Sequence, residues 1–300
     1  MRPQFSWSLP GRSLTLGRRT LIMGVVNVTP DSFYDGGRFA EFQAAVDQAL
    51  RLADQGADII DVGGESARPF SEGIPAEEEK ARVVPVIDSL AKSVTKPIAI
   101  DTKKAEVARA ALAAGASIIN DISGAKADPE IVSVAAETGC GLVLMHMRGS
   151  PKNMQLLTEY DNLMAEIKAE LSQSVEAALA AGVRPEAVVL DPGLGFAKKP
   201  EHNLEIIRRL DELAELGYPL LIGPSRKSFI GRALEEDGLN SDPEERLWGT
   251  LAAVALSAFG GAHIVRVHDV IQTRQALAVA DGVREGAYVP RSGETAGRGR

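Results

Sequence analysis

The 300-residue chain carries 41 acidic against 33 basic side chains, a formal net charge of −8, with 45% hydrophobic and 25% charged residues. That balance suits a globular protein with a substantial core and argues against a nucleic-acid-binding face, which needs clustered positive charge; the one basic cluster is the short tail around Arg298 and Arg300. No apolar run approaches the roughly 18 residues of a membrane span, and a lone Cys140 leaves neither disulfides nor thiolate metal sites, as in a cytoplasmic chain kept reduced.

In chain order, residues 5–9 and 13–16 alternate polar and apolar around Pro10-Gly11, which predicts a β-hairpin over residues 1–20, ahead of the main fold. From Leu21 a unit recurs: a short run rich in Val and Ile, a polar residue as it ends, a loop, then a helical pattern closed by glycine. Eight such runs occur, at residues 21–28, 58–63, 97–101, 117–121, 141–146, 187–191, 220–223 and 263–268. Their continuous apolarity implies strands buried on both faces, the mark of a parallel sheet.

Helical stripes run between them. Phe42, Val46, Ala49 and Ala53 precede Gly56; Val107, Ala111 and Leu112 precede Gly115; Leu163, Ile167, Leu171 and Val175 precede Gly182. Asp128-Pro129 and Asp242-Pro243 read as helix starts. Pro85 falls inside an otherwise helical pattern and predicts a kink or a late start. Eight strand–helix units without a linker predict one (β/α)8 TIM barrel over residues 21–285, and the polar residues 286–300 read as a flexible tail.

In such a barrel the C-terminal strand ends share one mouth, where active sites are built. The eight ends carry Asn27, Asp61, Asp101, Asn120-Asp121, Met145-His146, Asp191, Ser225-Arg226-Lys227-Ser228 and Arg266-Val-His268. A lone acid there is equally explained as a helix cap; eight polar ends on one mouth are not. Asp101, Asn120 and Asp191 suit a flat ligand with several N–H groups. Asn27, Arg266 and His268 fall on strands that meet when the barrel closes, and suit Mg2+ with a phosphate or pyrophosphate, because Mg2+ takes few protein oxygens and keeps waters and substrate oxygens. Neither a dinucleotide fingerprint, a Walker lysine, a His-x-x-x-His pair nor a nucleophile elbow is present.

Read together, Asn27-Val-Thr-Pro-Asp-Ser-Phe33, Gly63-Gly-Glu-Ser66 with Arg68-Pro69, Ile100-Asp-Thr-Lys103, Ile119-Asn-Asp-Ile-Ser-Gly124, Met145-His-Met-Arg-Gly149, Asp191-Pro-Gly-Leu-Gly-Phe196, Gly223-Pro-Ser-Arg-Lys-Ser-Phe229 and Arg266-Val-His-Asp269 closely resemble the dihydropteroate synthase family. The resemblance implies a transferase of folate biosynthesis that joins 6-hydroxymethyl-7,8-dihydropterin pyrophosphate to para-aminobenzoate. It implies a pterin ring against Asp101, Asn120, Met145, Asp191 and Lys227, and pyrophosphate held by Asn27, Arg266 and His268 with Mg2+ on Asn27. Aminobenzoate is implied beside Arg68, Pro69, Phe196 and Ser228, with Lys227, Asp101, Arg266 and His268 catalytic. It further implies a homodimer with small-molecule substrates; the first and second loops, long and carrying Gly36-Gly37 and Gly73, are expected to order on binding. One position departs from the family: Ala67 stands where threonine is usual. The rival with the nearest pattern, a corrinoid-dependent methyltransferase barrel, has no pyrophosphate to hold; a barrel that binds pterin without turnover would have no need of the catalytic side chains present here.

Overall fold

The structure, a computed structural model, describes residues 2–28 and 37–291, with the side chains of 37–40 excepted. The Thr29 to Phe33 motif, the rest of the first loop and residues 292–300 lie outside the described residues.

Alternating residues first build an antiparallel hairpin, β1 (Phe5–Leu9) and β2 (Arg12–Leu16), with Phe5 opposite Leu16. The eight apolar runs then form the parallel strands β3 (Leu21–Asn27), β4 (Ile59–Gly63), β5 (Ile98–Asp101), β6 (Ile118–Asp121), β7 (Gly141–Met145), β8 (Val188–Asp191), β9 (Leu221–Ile222) and β10 (Ile264–Val267). Each pairs with its predecessor from β3 to β8, and β10 lies between β9 and β3. A parallel bridge from Leu190 to Leu220, with Leu190 N–H donating to Pro219 O at 2.9 Å, joins β8 to the entry of β9 and closes the ring. This is the expected TIM barrel.

Helices α1 (Gly37–Asp54), α2 (Ala76–Ser93), α3 (Ala105–Ala113), α4 (Glu130–Thr138), α5 (Leu163–Ala180), α6 (Pro200–Arg208), α7 (Ser228–Glu236), α8 (Leu247–Gly260) and α9 (Val270–Glu285) wrap it, with α7 and α8 both between β9 and β10. Pro85 does not delay α2, which starts at Ala76 and runs through it. The ring sits on the exposed side, where water can satisfy the carbonyl that loses its partner. Asp128 caps as expected, one residue early: its Oδ1 accepts from Glu130 N–H at 3.2 Å, while Oδ2 accepts from Ala105 N–H at 2.7 Å and so also starts α3. Asp242-Pro243 opens a short 3-10 turn before α8.

Period two along each strand decides what enters the barrel. Alternate residues such as Ile22, Ile60 and Ile119 pack outward on the helices, whereas Met23, Ile59, Ile118, Val143 and Val189 fill the lower interior. The hairpin plugs that end: Trp7, Leu9 and Leu16 join the interior cluster, and Trp7 Nε1 donates to Ala187 O at 2.8 Å. The first and last described residues, Arg2 and Arg291, are pinned beneath it. Arg2 bonds Thr20 and Asp281, and Arg291, where the sequence suggested fraying, is half-buried and donates to Thr20 O at 3.0 Å. With one end stoppered, the functional surface is the other.

Candidate active site

One step further along the same inward rows, apolar side chains give way to charge: Asp61 follows Ile59, Asp101 follows Ala99, Asn120 follows Ile118, Asp191 follows Val189 and Arg266 follows Ile264. The Arg266 guanidinium spans the mouth, donating from Nε to Asp61 Oδ2 and from Nη2 to Asp101 Oδ2, both at 2.6 Å. Asn120 Nδ2 donates to the same Asp61 oxygen at 3.2 Å, and Asp61 Oδ1 has no hydrogen-bond partner among the described residues. The two sides of the mouth distinguished in the sequence therefore meet at Arg266.

One cation serving two carboxylates leaves the acids under-compensated. Burial raises the Asp101 carboxyl to about 7, Arg266 opposing and Asp61 reinforcing the rise. Burial likewise raises Asp191 to about 6, although Gly193 N–H donates to its Oδ1 at 2.7 Å and Lys227 attracts it. Burial lowers the Lys227 ammonium to about 8, a shift strengthened by Arg266 and opposed by Asp191 and Asp101. Three carboxylates thus face two cations around one opening. Such a cavity favours a ligand that is electron-poor or rich in N–H groups.

The loop after β8 supplies the side wall. Lys227 Nζ stands 4.0 Å from the centre of the Phe196 ring, a cation–π contact. Phe196 packs with Met145, Met147 and Met154, and Ala67 from the second loop touches the same apolar patch. That second loop is tied across the mouth: Phe70 N–H donates to Pro151 O at 2.9 Å, Ser71 Oγ to Ser66 O at 2.7 Å, and Ile74 N–H to Glu65 Oε2 at 3.1 Å. Arg68 and Pro69 are exposed on it, and Ser228 is exposed at the start of α7.

The loop after β9 has a positive-φ residue at Arg226, φ 57°, a conformation that costs a side-chain-bearing residue energy unless neighbours hold it. Thr250 Oγ1 accepts from Arg226 N–H at 2.9 Å, and Asp269 grips the guanidinium at 2.7 and 3.0 Å. Arg226 is thereby turned to the outer rim, and Lys227 points inward. Ser225 Oγ accepts from His268 N–H at 3.3 Å and lies 2.9 Å from His268 Nδ1. If that hydroxyl donates to Nδ1, the ring proton sits on Nε2, available to an anion. Burial, with Arg266 and Arg226 nearby, lowers His268 to about 4, so the ring is neutral at pH 7.

Of the residues singled out in the sequence, the structure brings together Asp101 with Arg266, Lys227 with Phe196, and Asp191 with the electrostatic field of Lys227 and Arg266. Asn27 lies exposed at the end of β3. Asp121 faces a turn, accepting from Ser123 N–H at 2.7 Å and Ala125 N–H at 2.6 Å, so its role is structural. Asp61 was counted among the strand ends in the sequence but given no role there. Its signal was there: it sits two residues after inward Ile59 and two before strand-end Gly63.

These features define a pterin-binding class of (β/α)8 enzyme, and relatives agree. The family described as pterin binding enzyme matches residues 23–268. A dihydropteroate synthase from Synechocystis is 50% identical over 267 residues, 89% of this chain and 91% of the relative. The structure of Xanthomonas albilineans dihydropteroate synthase with 4-aminobenzoic acid superimposes with a TM-score of 0.85 at 44% identity, covering 93% of this chain and 98% of that one. The Yersinia pestis enzyme in complex with a sulfonamide drug gives a TM-score of 0.84 at 41% identity, covering 93% and 99%. The chain belongs to the dihydropteroate synthase family.

Proposed function

We propose that the mouth performs the family's condensation of 6-hydroxymethyl-7,8-dihydropterin pyrophosphate with para-aminobenzoate, giving 7,8-dihydropteroate and pyrophosphate, with the work divided as follows. The pterin ring lies over Met145, its N–H groups donating to Asp101 and Asp191 and its other edge meeting Asn120 and Lys227. Pyrophosphate turns toward Arg266 Nη1, His268 Nε2 and Asn27. Aminobenzoate enters between Phe196 and the second loop, beside Arg68, Pro69 and Ser228.

The observation that carries this reading is the sharing of one guanidinium by Asp61 and Asp101, with Asp191 as a third buried acid. When pyrophosphate leaves, positive charge develops on the pterin methylene and spreads into the ring. Fixed carboxylates beneath the ring stabilise that charge without reorganising, while Arg266 and His268 receive the negative charge. Arg266 is the hinge of the scheme, because negative charge arriving on its outer face loosens its hold on Asp101 just as the ring needs that carboxylate. An aromatic amine is already neutral at pH 7, so attack needs position more than a strong base. Lys227, on the Phe196 face, orients the junction of the two substrates.

Mg2+ fits the rim as a shared ion. Among the described residues no cluster of three or more His, Cys, Asp or Glu side chains could hold a metal by protein alone, and the Asn27 amide oxygen is a single neutral ligand that would leave the remaining positions to substrate oxygens and water. Bound there, Mg2+ would neutralise charge on the leaving group.

The chain is further proposed to act as a cytoplasmic homodimer. In support, among the described residues no helix is long and apolar enough to cross a membrane, Cys140 is buried and unpaired, and α6, α7 and α8 border an apolar hollow of about 530 Å3 lined by Leu204, Phe229, Leu256 and Phe259. None of the charged side chains of the mouth lines that hollow, which suits a packing surface.

A pyrophosphate-release assay tests the assignment. Release should require both substrates and Mg2+, and fall by roughly two orders of magnitude or more in Lys227→Ala and in Asp101→Asn, as for loss of a charge-stabilising group. Wild-type rates in either variant would overturn these roles.

A further inference from the structure

Lys198 is 3% exposed, and no carboxylate lies within 4.0 Å of its amine among the described residues. A lysine so placed is costly, and burial lowers it to about 7. Its Nζ instead donates to Phe196 O and meets His146 Nδ1, both at 2.9 Å. Burial, then Lys198 itself, lowers His146 to about 4. The ring is therefore neutral: Nδ1 accepts from Lys198, and the proton sits on Nε2, which faces Glu170 Oε2 at 3.4 Å.

The surrounding loop has its backbone groups tethered one after another. Asn203 Oδ1 accepts from Gly195 N–H at 2.6 Å, Gln155 Nε2 donates to Gly195 O at 3.2 Å, and Tyr160 Oη donates to Ala197 O at 2.9 Å. Ala197 is itself held at φ 51°. Gly195 and Ala197 are thus fixed by neutral groups, and the carbonyl between them by a buried amine. Phe196 sits between two lysines, Lys227 over its ring and Lys198 under its carbonyl.

We propose that Lys198 is a positioning residue for the second substrate: by tying the Phe196 carbonyl to the His146 ring at the end of β7, it fixes the height and tilt of the aromatic wall against which aminobenzoate and Lys227 stack. On the pterin side Lys198 makes no hydrogen bond and acts only through its charge, which attracts Asp191 and helps to keep it ionised. The inference rests on the proposal that Phe196 faces aminobenzoate.

Steady-state kinetics in both substrates test it. Lys198→Met fills the same space without a donor; it should raise KM for aminobenzoate on the order of 10-fold, while KM for the pterin pyrophosphate, which feels only the lost pull on Asp191, changes several-fold less. A purely structural lysine would instead lower the melting temperature and the active fraction while both KM values stayed together, and that result would overturn the proposal. Should Lys198→Met not fold, His146→Asn, which keeps an acceptor for Lys198, should hold the wild-type KM for aminobenzoate, and His146→Leu should raise it; equal behaviour of the two would equally overturn the proposal. Phe196→Ala separates the two claims. If it leaves KM for aminobenzoate unchanged in an enzyme that turns over, the placement of aminobenzoate fails. If it raises that KM and Lys198→Met does not, only the role of Lys198 fails.

Discussion

Asp61→Asn isolates the electrostatics of the mouth, because it removes a charge while keeping the shape. The Asp61 carboxylate is fully buried, shares Arg266 with Asp101, and leaves Oδ1 without a hydrogen-bond partner among the described residues. With asparagine in place, Arg266 serves Asp101 alone and a like charge is gone. Two unit charges about 4 Å apart interact by about 4 kcal/mol at an effective dielectric of about 20; partial screening by Arg266 reduces this, so a fall of about one to two units in the Asp101 pKa follows, at about 1.4 kcal/mol per unit. The wild-type Asp101 carboxyl stands at about 7, raised by burial against Arg266 and with Asp61. If ionised Asp101 supports the pterin cation, the acid limb of kcat/KM lies near neutrality in the wild type and shifts to lower pH in the variant. Stability changes less, since a charge-assisted bond worth about 1.5–3 kcal/mol is lost but an incompletely paired buried carboxylate disappears with it. A drop of about 1 kcal/mol, or about 2–4 °C in Tm, is expected. The measurement is the pH dependence of pyrophosphate release. A limb that stays in place, or moves to higher pH, would refute the shared-guanidinium account.

Three further substitutions probe separate layers. Phe70 holds φ 64° with its side chain 65% exposed, so Phe70→Gly loses little burial, removes backbone strain of about 1–2 kcal/mol and should raise Tm by about 2–4 °C in calorimetry; a lower Tm would show that the ring packs better than its exposure suggests. Trp7→Ala empties the plug beneath the barrel and its bond to Ala187 O, and should cost about 3–5 kcal/mol in denaturant unfolding, with little change in KM among molecules that stay folded. Ala67→Thr places a hydroxyl against the apolar patch of Met145, Met147, Met154 and Phe196; titration calorimetry should find a modest change in aminobenzoate affinity and a larger one for sulfonamides, and equal, negligible effects on both would count against a role for this position.

How far the sequence carried the reading depended on the range of the forces involved. Strand positions were legible because both faces of each strand are buried, so burial leaves a continuous mark such as Ile118-Ile119 or Leu142-Val143-Leu144. Pro85 misled only as to a late start of α2, because a local rule about a lost hydrogen bond says nothing of which side of the helix meets water. Arg226 and Lys227 read as a joined basic pair, yet Thr250 and Asp269, more than 20 residues away in sequence, turn one outward and leave the other facing in. Lys198 stands beside Lys199 with nothing in the sequence to set it apart; only the return of the loop under Phe196 buries it.

The acids of the mouth also explain why a plug and so many tethers surround it. Asp101 at about 7 and Asp191 at about 6 both stand above the usual carboxylate value near 4. Within that window the folded chain binds more protons than the unfolded one, so the contribution of these two groups to stability is greatest below about pH 4 and is lost as pH rises through their folded values. At neutral pH the barrel without ligand therefore carries a largely ionised Asp191 and a partly ionised Asp101, under-compensated acids that lower its stability. A ligand offering N–H donors and developing positive charge relieves that cost, and relieves it most when the charge is greatest. The same electrostatic frustration that weakens the apo fold thus becomes differential binding of the transition state, provided the mouth cannot relax around its charges first. The plugged lower barrel, the Asp269 grip on Arg226 and the fixed loop after β8 are what prevent that relaxation.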